Sequence, residues 1–157
     1  MDRRHGTGSE DVRTHKSKAR MKDRRPFALG TTVLASKTRA QIEELATKHG
    51  ATSFATATDS AYAQILFEAH GRRIRFSIPI VRSDEAENRR RWRCLYMVIR
   101  AKFEAVADGL ESFEEAFLSQ TIVPGNSGET VAQWIGPQLE AAYTRGATMA
   151  PLLGDGR

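Results

Sequence analysis

A single cysteine, Cys94, in 157 residues excludes an internal disulfide and leaves no second thiol for a zinc site. No apolar run approaches the roughly 18 residues of a membrane helix. No charged start followed by an apolar stretch marks a signal peptide, so a cytoplasmic protein is expected. The four histidines, His5, His15, His49 and His70, are scattered, and no His-x-Glu, His-x3-His or Cys-x2-Cys spacing occurs. No metal and no cofactor are expected. The glycines of 122–128 neither follow a strand nor precede Lys-Thr or Lys-Ser, so they do not read as a phosphate cradle. The acid pairs Glu43-Glu44 and Glu114-Glu115 are adjacent on predicted helices and point apart, which suits solvation rather than acid–base work. A non-enzyme with no catalytic residues is expected.

Residues 1–25 lack Ile, Leu, Phe, Trp and Tyr altogether. They hold nine Lys or Arg against four Asp or Glu, and residues 26–157 hold fifteen of each, so the net charge of +5 belongs to this arm. Such a segment buries too little apolar surface to offset its ordering entropy, and a disordered basic arm is expected. Met21 offers an alternative start. Residues 26–157 are expected to form one domain.

What is present is clearest in Ala61 to Ile80. Ala63, Ile65, Phe67 and Ala69, then Ile74, Phe76, Ile78 and Ile80, keep the period of two that marks a half-buried sheet. His70-Gly71 reads as the two-residue turn of a β-hairpin. Ahead of it, the spacing predicts an extended lead-in from Pro26 to Ser36 with Phe27, Leu29 and Val33 free to pack. A helix over Thr38–His49 follows, opened by the capping box Thr38-x-x-Gln41 and closed by Gly50. A strand over Ala51–Thr58 and a turn at Asp59-Ser60 complete that half. After the hairpin, Ser83-Asp84-Glu85 caps a long helix whose stripe is Trp92, Leu95, Tyr96, Ile99, Phe103, Val106 and Leu110. Ser112 and Thr130 open two further helical segments, with a small β-ribbon between them closing at Glu129-Thr130-Val131. The fold class is α+β: a helix, a three-stranded antiparallel sheet, a long amphipathic helix packed on it, and C-terminal helices.

The candidate functional residues are arginines. Arg72, Arg73 and Arg75 on the hairpin, and Arg89, Arg90 and Arg93 at the start of the long helix, suggest one positive surface continued by the arm. Arginine suits bidentate phosphate contacts. Trp92 and Tyr62 are the stacking candidates, although Trp92 also opens the apolar stripe. Nucleic acid is therefore the expected partner, bound through phosphates. The alternative is a protein-interaction module using the Trp134/Tyr143 region or a sheet edge.

The order helix, three strands, helix resembles the double-stranded RNA-binding domain and, more loosely, single-strand annealing proteins. The Lys-Lys-x-Ala-Lys motif of the former is absent, so that likeness concerns fold alone. In sequence, Thr31-Thr32-Val33, Lys37 to Glu43, Phe67 to Phe76 and Arg91-Trp92-Arg93 resemble a family of small uncharacterised bacteriophage and prophage proteins over roughly 27–153. That resemblance implies a phage setting in a bacterial host, with a host or phage protein as a further partner. It implies no activity; a role with single strands in replication or recombination is the expectation built on the arginines.

Overall fold

A computed structural model describes residues 26–125 and 128–146. The proposed arm lies outside the described residues. The chain forms helix α1 (Ala35–Lys48), strands β1 (Ala51–Thr58), β2 (Tyr62–Ala69) and β3 (Arg72–Pro79), helix α2 (Glu85–Ala107), helix α3 (Phe113–Phe117) running into a 3-10 turn (Leu118–Gln120), and helix α4 (Val131–Thr144). The three strands make one antiparallel sheet in the order β1-β2-β3, so the α+β expectation stands.

The turns follow from local chemistry. Asp59 accepts hydrogen bonds from the backbone N–H of Ala61 (2.6 Å) and Tyr62 (2.7 Å), which folds β1 into β2. His70 and Gly71 both have positive φ, 51° and 69°, the twist that a two-residue hairpin turn requires. The register then sets Phe67 against Ile74 and Ile65 against Phe76. One face of the sheet is thereby apolar, and α1 and α2 cover it. Ile42 and Ala46 of α1, Trp92, Leu95, Ile99 and Phe103 of α2, and Phe113 and Phe117 of α3 complete the core. Trp92 is 3% exposed, so it packs rather than stacks on a ligand.

Three expectations are corrected. The first helix begins at Ala35, and Thr38 does not cap it. Its N–H already bonds to the Leu34 carbonyl (3.1 Å), and its side chain is buried on the face shared with Ile42 and Ala46. Packing of Ala35 against the core outweighs the capping preference. Phe27 and Leu29 do not pack either. They occupy a turn and stay exposed. Leu110 is 77% exposed, because α2 stops at Ala107 and Gly109 turns the chain at φ 70°. His49, just past the end of α1, is half-buried and stacked on Phe103 at 4.6 Å between centroids.

The remaining caps form as the sequence implies. Asp84 accepts from the Glu87 N–H, and Ser112-x-x-Glu115 and Thr130-x-x-Gln133 both close as capping boxes. Pro137 lies inside α4 without ending it. The expected ribbon is present: Thr121 bridges to Ile74, Ile122 bridges to Thr130, and the Ile122 N–H donates to the Arg73 carbonyl at 2.8 Å. This short segment therefore lines up along the outer edge of β3.

Candidate nucleic-acid interface

The period of two that buries Ile74 and Phe76 turns their neighbours to the opposite side. Arg73, Arg75 and Ser77 on β3 share that side with Tyr62, Gln64, Leu66 and Glu68 on β2 and with Ser53, Ala55 and Ala57 on β1. Glu68 is opposite Arg73, and Leu66 is opposite Arg75. α1 and α2 are on the other side. Tyr62 is 49% exposed. The start of α4 reaches this face at one point, where an Arg75 guanidinium N–H donates to the Gln133 Oε1 at 2.7 Å.

Arg72 sits just past the hairpin turn, 3.9 Å from Glu114, with both side chains about half exposed. A pair of that kind contributes about 0–1 kcal/mol and leaves the guanidinium available. Arg72 and Arg73 also line a cleft of about 600 Å³ whose other wall is Thr121–Gly125 and Gly128.

The arginines of α2 are held differently. Arg90 grips Glu87 with two bonds, Nε to Oε2 at 2.7 Å and Nη2 to Oε1 at 2.6 Å. Arg91 adds a third bond to Glu87 at 2.9 Å and donates to the Pro79 carbonyl at 2.7 Å. Arg89 pairs with Glu85 at 3.1 Å. Arg93 donates to Gln41 of α1 at 3.0 Å and lies over the Tyr96 ring at 4.6 Å. These four join α2 to its own first turn, to the end of β3 and to α1.

The six candidate residues thus do not form one surface. Arg73 and Arg75 belong to the open face, Arg72 lies at the hairpin tip with the parity of Ile74 and pairs with Glu114 of α3, and Arg89, Arg90 and Arg93 belong to the helical layer. Two sequence patterns already contained this separation. Strand parity places Arg73 and Arg75 away from the core, and the Trp92 stripe places α2 on it. The helical layer is nevertheless where the described chain begins: the Phe27 carbonyl lies 3.5 Å from Arg90 Nη1 and 3.7 Å from Cys94 Sγ.

Glu87 has a measurable signature. Its hydrogen bonds from Arg90 and then Arg91 lower its carboxyl from 4.5 to about 2. A carboxylate depressed by folding contributes stability above its unfolded pKa and loses it as pH falls through the folded value. Thermal melts of the wild type are expected to lose this contribution between about pH 4.5 and pH 2. Glu87→Gln should be flatter over that window, and less stable at pH 7 by about 1 kcal/mol. Parallel pH profiles would contradict the arrangement.

The two histidines among the described residues, His49 and His70, serve packing. His70 packs on Phe113 at 4.4 Å, as His49 does on Phe103, so each lids an aromatic core residue. Among the described residues no group of three or more His, Cys, Asp or Glu is placed to hold a metal ion, and no helix is long and apolar enough to cross a membrane. Set against protein-family models, curated proteins and solved structures, the chain matches none.

Proposed function

We propose that the protein binds nucleic acid through its phosphates, single strands foremost, on the open face of the sheet. The observation that carries this reading is the placing of Arg73 and Arg75 on the sheet face turned away from α1 and α2, with half-exposed Tyr62 on the same face towards the far end of the strands. Same-face neighbours on a strand stand about 6.7 Å apart, so the two guanidiniums can contact different phosphates while Tyr62 offers a ring to a base. Glu68 is the acid set among them. The arm, with its net charge of +5, adds contacts that demand little geometry. The resemblance to small phage and prophage proteins supports a phage setting for this binding, in replication or recombination.

The test is a titration of full-length protein with labelled single- and double-stranded DNA and RNA at about 50 mM salt, where phosphate contacts are strongest. Binding that weakens log-linearly as salt rises is expected. No binding to any of the four overturns the proposal.

A second reading rests on α4. None of its residues is buried, Glu140 is its one charged residue, and Trp134 and Tyr143 are exposed. With Leu118, its residues Val131, Ile135 and Leu139 line a groove of about 560 Å³. Such a surface suits a protein partner. Stoichiometric recovery of one protein, unchanged by nuclease, would favour this reading.

A further inference from the structure

The two edges of the sheet are treated differently. On β3, Thr121 and Ile122 occupy one end of the edge, and Pro79, which has no N–H to offer, stands at the other. Natural proteins protect an edge in just these ways: a covering segment, a proline, or charged side chains. β1 has none of them. Its eight residues, Ala-Thr-Ser-Phe-Ala-Thr-Ala-Thr, carry no charge and no proline. Its one irregularity lies at its very start, between Ala51 and Ser53. Among the described residues β1 pairs with β2 alone.

The ladder fixes which groups are free. The Asp59 N–H donates to the Tyr62 carbonyl at 2.9 Å, so residues of the same parity, Ala57, Ala55 and Ser53, point their backbone groups at β2. Phe54, Thr56 and Thr58 point theirs outward. That is a row of three donors and three acceptors along roughly 14 Å of strand.

We propose that this edge pairs with the same edge of a second copy, joining two three-stranded sheets into one of six. A two-fold axis makes such a contact antiparallel, and Phe54, Thr56 and Thr58 supply matching donors and acceptors to one another. The side chains permit close approach. Ala55 and Ala57 are small, and facing threonines pair well across antiparallel strands.

Charge points to a copy rather than to an unlike strand. Arg39 and Glu43 of α1 line the cleft beside the edge, together with Ser36, Ala40 and Phe54 to Thr56. They are of opposite sign and one helical turn apart. A two-fold axis near Thr56 therefore brings each copy's Arg39 towards the other's Glu43, a self-complementary pattern. The joined sheet also sets the two open faces side by side. This inference does not depend on the nucleic-acid reading, because it uses none of Tyr62, Arg73 or Arg75.

The experiment is sedimentation equilibrium of nuclease-treated, full-length protein, with amide exchange followed by NMR. The wild type is expected to show twice the monomer mass at high concentration and to dissociate on dilution. The amides of Phe54, Thr56 and Thr58 should exchange slowly only in the dimer. Thr56→Pro removes an outward N–H from each copy without touching the bonds to β2, and should weaken the dimer about 100-fold. Should that variant misfold, the exchange of the three amides in the wild type decides alone. A monomer at every concentration, a folded Thr56→Pro that dimerises as the wild type does, or protection of the three amides in a monomer, as when the chain's own terminus occupies the edge, each overturns the proposal.

Discussion

Replacing Phe117 with alanine is expected to cost about 3–5 kcal/mol of unfolding free energy, the range for emptying a fully enclosed aromatic site. Phe117 is 0% exposed. It meets Phe113 at 4.7 Å, Phe103 at 5.0 Å, Phe67 at 6.0 Å and Phe76 at 6.4 Å between ring centroids. Those partners come from α3, α2, β2 and β3, so this one ring ties the short helix to the rest of the core. Edge-on contacts with Phe67 and Phe76 add to the loss beyond area alone. Phe117→Leu, which keeps most of the volume, should cost about half as much or less. Urea unfolding of the two variants checks the ordering. Equal and small losses would mean that α3 is an appendage rather than part of the core.

The second large effect concerns binding. Arg73→Glu combined with Arg75→Glu is expected to weaken single-strand binding about 100-fold at 50 mM salt. Each charge-assisted contact to phosphate is worth about 1.5 kcal/mol or more, and two of them account for that factor before the added repulsion. Both side chains point away from the core, so the fold should persist. Arg90→Ala makes the informative contrast. It strips Glu87 of two hydrogen bonds, and should lower stability while leaving affinity within about threefold. Had the six arginines formed one surface, the two variants would behave alike. Starting the chain at Met21 removes six of the arm's nine basic residues, and the loss it causes measures the arm's share.

Much of this arrangement was legible beforehand, where one pattern dominated. β1 matches its expected bounds, Ala51–Thr58, because Gly50 and Asp59-Ser60 bracket it with unambiguous turn chemistry. The hairpin was readable because period two and a Gly-containing turn agree. Competing signals misled. Thr38-x-x-Gln41 has the form of a capping box, yet it lies inside α1, since burial of Ala35, Thr38, Ile42 and Ala46 on one face outweighs a cap's contribution. Leu110 extends the α2 stripe by spacing, but one glycine ends the helix before it. The arginines show a different limit. Their residue types were right for phosphate, but which ones are already held by Glu85, Glu87 and Gln41, or in the case of Arg75 by Gln133, depends on side-chain geometry that spacing does not supply. The bare edge of β1 could be read only once strand order was known, because nothing in eight uncharged residues says whether they lie at the margin or in the middle of a sheet.

The most direct measurement of the central claim is the salt dependence of single-strand binding for the full-length protein and for Arg73→Ala combined with Arg75→Ala. Each phosphate contact contributes about 0.7 to the slope of log affinity against log salt for single strands. The double variant should therefore bind more weakly with a slope shallower by about 1.4. An unchanged slope and affinity in a folded double variant would contradict the assignment of the open sheet face as the binding surface.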